Sequence, residues 1–263
     1  QVNRKWIIDS VWQYHKYSGY DSSVEAYGHP ADMRDFGMKA QLVNYNQYRS
    51  LIESFSAHMW DWYTGVIIWK TQNSWTAMVG QMYDVYLDPN ACLFGLQQGA
   101  KPLHMMYDPV RNDVIVVNNG FRKAEGLKAV TTLVDFKGRQ SVINESDCSI
   151  VANKPMVVWH AKSVVDSQFR REGGLLYLSL QDKNTGKELD DNLYWMPDAA
   201  KMYPGLGKMP EAAVKIKAKK RGAGKIEVTI SNPAVGPVAF FIRASLIDSN
   251  TYDRILPAFS NNN

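Results

Sequence analysis

The apolar pattern of this chain changes period at Lys101-Pro102, and a chain that changes period changes architecture at the same point. Before it, Met33, Phe36, Ala40, Val43, Tyr48, Ile52 and Phe55 recur at three- to five-residue spacing, with Arg34, Lys39, Gln41 and Arg49 between them. That spacing predicts a long amphipathic helix from about Pro30 that ends before Trp60. Val66, Ile67 and Ile68 then form a continuous apolar run, the signature of a strand buried on both faces, and Trp69 ends it. A second amphipathic segment lies near Ala91–Gln98. Helix, buried strand, helix is the repeat of a βα-barrel or of any parallel α/β sheet.

After Lys101-Pro102 the period becomes two. Val114–Asn119, Leu127–Phe136, Met156–Val165 and Leu175–Asp182 are short β-branched or aromatic runs separated by Gly, Asn and Asp, as in an antiparallel sandwich of immunoglobulin-like size. Beyond the loop Pro197–Pro210, Lys225–Asn232 and Val238–Asp248 read as strands of a second all-β segment. The fold class is α/β plus all-β. Three regions are expected: residues 1–100 with barrel-like α/β structure, 101–200 an immunoglobulin-like sandwich, and 201–263 a second and incomplete sandwich.

Composition narrows the function classes. Hydrophobic residues make up 45 % of the 263, enough for packed cores rather than disorder. The net charge of +4 arises largely in Val214–Val228, where Lys215, Lys217 and Lys219 alternate with Val214, Ile216 and Ala218. Alternation of this kind is a strand with one wet face, and no helix–turn–helix, zinc-finger or RNA-recognition pattern accompanies it, so nucleic acid is not an expected partner. No apolar run approaches the ~20 residues that cross a bilayer, so no membrane partner is expected. Cys92 and Cys148 lie in different regions without CxxC spacing and read as buried thiols. Asn144-Glu145-Ser146 fits the glycosylation sequon, a triplet common by chance.

The densest chemistry follows the apolar run, where Trp69, Gln72, Asn73 and Trp75 crowd the predicted strand end and its loop. Indoles cover the apolar C–H faces of a pyranose while amides take its hydroxyls, and barrel enzymes keep their sites at the carboxyl ends of strands. Each residue has a structural alternative. Trp69 would serve equally as a barrel plug, Gln72 and Asn73 would satisfy loop backbone, and Trp75 would cover a rim. Asp32 and Asp35 belong to a helix start, where carboxylates favour the dipole, and Asp84 suits the orientation of a loop or of a helix start. His58, His104 and His160 are scattered without a second ligand at useful spacing, so no metal is assigned. GxSxG, P-loop and dinucleotide fingerprints are absent.

The segment WKTQNSWT (Trp69–Thr76) resembles the last barrel strand and following loop of glycoside hydrolase family 2, in its branch of β-mannosidases, exo-β-glucosaminidases and plant-type endo-β-mannosidases. The likeness continues through Trp12–Tyr17, Asp35–Glu53, Tyr86–Asp108 and Leu193–Pro197. The broader family usually carries Asn-Asp where this chain has Gln72 and Asn73, which leaves the choice of sugar open. The resemblance implies the C-terminal part of a (β/α)8 TIM barrel followed by immunoglobulin-like sandwiches. It implies a retaining β-glycosidase without cofactors, acting on a β-mannoside or β-glucosaminide through two glutamates about 5–5.5 Å apart. Both glutamates are expected upstream of this chain, on a polypeptide that completes the barrel, so no catalytic residue is assigned here. Trp69 would lie beneath the sugar, and His15 would overhang it from an earlier loop. A secreted, periplasmic or lysosome- or vacuole-like compartment suits such an enzyme. The rival reading is a non-catalytic carbohydrate-binding or scaffold protein on the same fold.

Overall fold

A computed structural model describes residues 20–61, 64–69, 71, 72, 74, 82–233, 236–256 and 258. Helices come first: α1 (Tyr20–Glu25), α2 (Met33–Ala57) and α3 (Ala91–Gly99). Helix α2 occupies the stretch its spacing predicts. Asp32 is its N-cap and accepts the Asp35 amide at 2.8 Å, while Asp35 accepts the Ala31 amide at 2.9 Å and Lys39 Nζ at 2.8 Å. Helix α3 borrows its cap from its neighbour, since the Ala91 amide donates to Gln41 Oε1 of α2 at 2.7 Å. The two helices meet closely at Gly95, where an added Cβ would lie 2.3 Å from the Tyr45 carbonyl oxygen.

Next come strands β1 (Leu103–Asp108), β2 (Asp113–Asn118), β3 (Ala124–Val134), β4 (Gln140–Ile150) and β5 (Lys154–His160). Helix α4 (Lys162–Gln168) separates these from β6 (Gly174–Asp182) and β7 (Glu188–Met196). The strands form two antiparallel sheets, β1-β2-β5 and β4-β3-β6-β7, which is the connectivity of an immunoglobulin-like sandwich. Met105, Val114 and Val116 from the first sheet meet Leu127, Ala129, Leu176, Leu178 and Leu180 from the second in one core.

The outer face of the larger sheet is also dry. Leu175, Val134 and Trp195 point away from the sandwich core and pack under Val24, Tyr27 and Val43 of the helical layer. Trp195 Nε1 donates to Tyr27 Oη at 2.7 Å, and the Tyr27 ring stacks on Tyr203 at 4.5 Å. Helices and sandwich therefore share a second core.

The structure corrects four expectations. Val66–Trp69 is not a strand: Ile67 is 96 % exposed, and among the described residues no strand lies alongside to take its backbone groups. The barrel reading of residues 1–100 accordingly has helices but no strand among the described residues of that stretch. Second, Lys162–Val165 leaves the sheet and turns into α4, which delivers Phe169 into the core against Gly174, whose missing side chain makes the room. Third, Val238–Asp248 contributes only the bridge Ile247–Arg254, while Phe240 and Phe241 pack edge-on against Trp195. Fourth, β8 (Lys215–Lys220) and β9 (Ile226–Ser231) form a hairpin wet on both faces. The alternation is real, with Ile216 opposite Ile230 and Lys217 opposite Thr229, yet Ile216 is 65 % exposed.

Candidate functional site

Of the residues singled out for sugar contact, His15, Asn73 and Trp75 lie outside the described residues. Trp69 and Gln72 lie within them. The Trp69 indole is 84 % exposed, so among the described residues it fills no core. Gln72 pairs with Tyr83 in a parallel bridge, supported by the Tyr83 amide donating to Thr71 O at 3.1 Å. Tyr83 in turn bridges Pro89, and the turn between them is organised by Asp84, whose Oδ1 accepts the amides of Tyr86 and Asp88 at 2.8 and 2.9 Å. Asp84 thus orients a loop rather than a helix start.

The segment leading to Trp69 is held at its start. Trp60 adopts φ 70°, a left-handed conformation unfavourable for a bulky side chain, and its Nε1 donates to Asn153 O on the sandwich at 3.0 Å. The ring is 51 % exposed. This anchor was not legible in the sequence, because its partner is a backbone carbonyl 93 residues away.

Helix α2 is fastened to the sandwich by a buried polar cluster. Arg49 and Glu53, four residues apart and so on one helix face, are the helix's buried charges. Arg49 donates to Asn192 Oδ1 at 3.0 Å, Leu193 O at 2.6 Å and Asn46 Oδ1 at 2.8 Å, and its guanidinium lies 4.1 Å from the Tyr194 ring centre. Glu53 Oε1 accepts Asn192 Nδ2 at 2.9 Å and faces His104 Nε2 at 3.1 Å. His104 Nδ1 faces Asp190 Oδ2 at 2.9 Å, which also takes the Met105 amide at 2.7 Å, while Lys101 Nζ stands 2.8 Å from Asp190 Oδ1. Asp190 and Asn192, two apart on β7, face the same way.

A neutral imidazole carries one N–H and satisfies one carboxylate; the imidazolium satisfies both. Burial opposes the charged ring, but the hydrogen bonds with Asp190 and Glu53 outweigh it and raise the His104 pKa above the ordinary value. Burial likewise pushes the Asp190 carboxyl up, and bonds from His104 and Lys101 more than reverse this, holding it below the usual range. The signs give a window. Stabilisation from a raised histidine is complete below about pH 6.5 and is lost as pH rises through the raised value; that from Asp190 is present above about pH 3.9 and lost on acidification. Melting temperature should therefore fall on the alkaline side, and His104→Gln should flatten that limb. A wild-type profile that stays flat throughout the alkaline limb above about pH 6.5 would refute the imidazolium.

His160 Nδ1 lies 2.7 Å from Asp113 Oδ1. Cys92 is buried, its thiol pushed up to about 11 by that burial, and Cys148 is half-buried; neither forms a disulfide.

Residues 192–263 match the family model described as the exo-β-D-glucosaminidase Ig-fold domain. The chain is 32 % identical over 196 residues to a mannosylglycoprotein endo-β-mannosidase of Lilium longiflorum, covering 72 % of this chain and 21 % of that protein. It is 28 % identical over 276 residues to an exo-β-D-glucosaminidase of Arthroderma benhamiae, covering 96 % of this chain and 30 % of that one. In structure it matches an Amycolatopsis orientalis exo-chitosanase in complex with PNP-β-D-glucosamine at TM-score 0.77 and 27 % identity, over 90 % of this chain and 31 % of the other. The chain spans about a fifth to a third of the length of these relatives. The class so defined is a glycosidase scaffold carrying an immunoglobulin-like sandwich. Within that class, the chain belongs to glycoside hydrolase family 2.

Proposed function

We propose that this chain is part of a retaining β-glycosidase that hydrolyses β-glucosaminides or β-mannosides, with the two catalytic carboxylates supplied by polypeptide outside it. In this reading Trp69 forms the floor of a sugar subsite, and Gln72 and Asn73 take sugar hydroxyls. Trp75 and His15 add walls, and the sandwich braces the loop from behind. The observation that carries the reading is the exposure of Trp69: an indole with 84 % of its surface open has no packing duty among the described residues and is free to stack on a sugar. The likeness to relatives named for glucosaminidase and mannosidase activity supports the reaction class, and it supports both sugars.

Chemically, the chain's contribution is binding and orientation. A stacking floor fixes the plane of the pyranose, and amides that hydrogen-bond particular hydroxyls are left unpaired by the wrong epimer, which discriminates strongly. The compartment we propose is extracytoplasmic, where polymeric glycans are met.

The test is hydrolysis of p-nitrophenyl β-D-glucosaminide and p-nitrophenyl β-D-mannoside by the complete polypeptide that contains this sequence. Release of nitrophenol from one of them supports the reading and names the sugar. Binding of both sugars with no hydrolysis of either establishes instead the non-catalytic carbohydrate-binding alternative.

A further inference from the structure

Asp88, at the end of the turn that follows Tyr83, is buried. Its carboxylate is gripped by two arginines from the far end of the chain. Arg254 Nη2 donates to Asp88 Oδ1 at 2.7 Å while Arg254 Nη1 reaches Oδ2, a two-point fork, and Arg243 Nη2 donates to Oδ2 at 2.7 Å. The arginines lie 155 and 166 residues from Asp88 in sequence. Both belong to one self-closed excursion: Ile247 bridges Arg254, and Asp248 Oδ1 takes the amides of Asn250 and Thr251 at 2.8 and 3.0 Å.

On its other side, Asp88 closes the turn that pairs with the sugar-site segment. The Asp84 amide donates to Asp88 O at 3.1 Å, the Leu87 amide to Asp84 O at 3.0 Å, and the Asn90 amide to Met82 O at 2.8 Å. Tyr83, inside this turn, pairs with both Pro89 and Gln72. Gln72 is three residues past Trp69. Backbone pairings therefore run from the turn whose carboxylate the two arginines hold to Gln72, three residues past the exposed indole.

We propose that Asp88 is a positioning residue for the sugar subsite, through which the C-terminal excursion Arg243–Arg254 fixes the loop that carries Gln72 and Trp69. This rests on the reading of Trp69 and Gln72 as sugar contacts. Burial of the carboxylate calls for counter-charge, and both arginines that supply it come from the one C-terminal excursion. Placing that carboxylate at the base of a turn, with its own amide and carbonyl both engaged by Asp84, makes the turn's geometry depend on it.

The experiment compares Asp88→Asn with wild type in the complete polypeptide, reading backbone hydrogen exchange and steady-state hydrolysis of p-nitrophenyl β-D-glucosaminide and β-D-mannoside. Arg243→Met serves beside it, because it leaves the Arg254 fork intact and so retains the fold if Asp88→Asn does not. The expected result is faster exchange at the Tyr83, Leu87 and Asn90 amides and a KM raised about tenfold with kcat nearly unchanged, the signature of lost uniform binding. Arg243→Met should give a smaller change of the same kind, and Asp88→Glu should recover most of the loss. Unchanged exchange at those amides overturns the proposal, as does faster exchange with KM untouched. Trp69→Ala separates the two levels: if it abolishes turnover while Asp88→Asn leaves KM alone, the clamp is wrong and the subsite stands. If Trp69→Ala has no kinetic effect, the subsite reading itself falls, and the positioning role falls with it.

Discussion

Arg49→Ala should lower the unfolding free energy by about 3–5 kcal/mol, the range measured when one partner of a buried ionic cluster is removed. For a domain whose whole stability is typically about 5–15 kcal/mol, that is a large share. The size follows from what the guanidinium leaves behind. Its donors serve Asn46, Asn192 and the Leu193 carbonyl, and its plane covers the Tyr194 ring, all under the helix where water does not readily replace it. The buried Glu53 carboxylate, 3.9 Å from Arg49 Nε, would lose a neighbouring cation at the same time. Guanidinium denaturation is the direct measurement, with the midpoint falling and the slope preserved. A loss below about 1 kcal/mol would mean that these groups are hydrated and that α2 does not seat on the sandwich in this way.

Trp69→Ala should act in the opposite sense, with a large effect on turnover and a small one on folding. An exposed side chain away from caps, strained turns and ion pairs usually changes stability by less than about 0.5 kcal/mol when replaced. If its indole is the floor beneath the sugar, kcat/KM of the complete enzyme should drop about a hundredfold, or about 2.7 kcal/mol of transition-state stabilisation. Parallel measurement of kcat/KM and melting temperature decides the matter. Comparable losses in both would identify Trp69 as a packing residue and sink its assignment to the subsite.

Local pattern carried much of the fold. Helix α2 was legible because its apolar positions keep helical spacing and Asp32 sits where a cap belongs, while β2 and β3 were legible as β-branched runs and β6 as a short leucine-rich run carrying Tyr177. Other elements were hidden for physical reasons. Strand β4 lies at a sheet edge, where one face needs no apolar residues, so QSVINESDCSI does not look like a strand. Strand β1 carries His104 inward because α2 supplies Glu53 as its counter-charge, an arrangement no local window can reveal.

Val66–Ile68 misled in the reverse direction. An apolar run signals a need for cover, and the secondary structure depends on neighbours that the run itself does not specify. The candidate site divides in the same way. Trp69 and Gln72 announced themselves by residue type, whereas Asp88 and Trp60 acquire meaning only from partners 155, 166 and 93 residues distant.

The cluster around His104 also limits how this polypeptide can be recombined. An immunoglobulin-like sandwich is usually regarded as a portable module, to be cut at its first strand and grafted elsewhere. Here the cut between Gly99 and Leu103 would carry His104, Asp190 and Asn192 away from Arg49 and Glu53, stripping both pieces of their counter-charges. It would also uncover Leu175 and Trp195, which the helical layer keeps dry. The transferable unit is the sandwich together with its long helix, and a chimera joined anywhere between them would inherit a charged, half-open face.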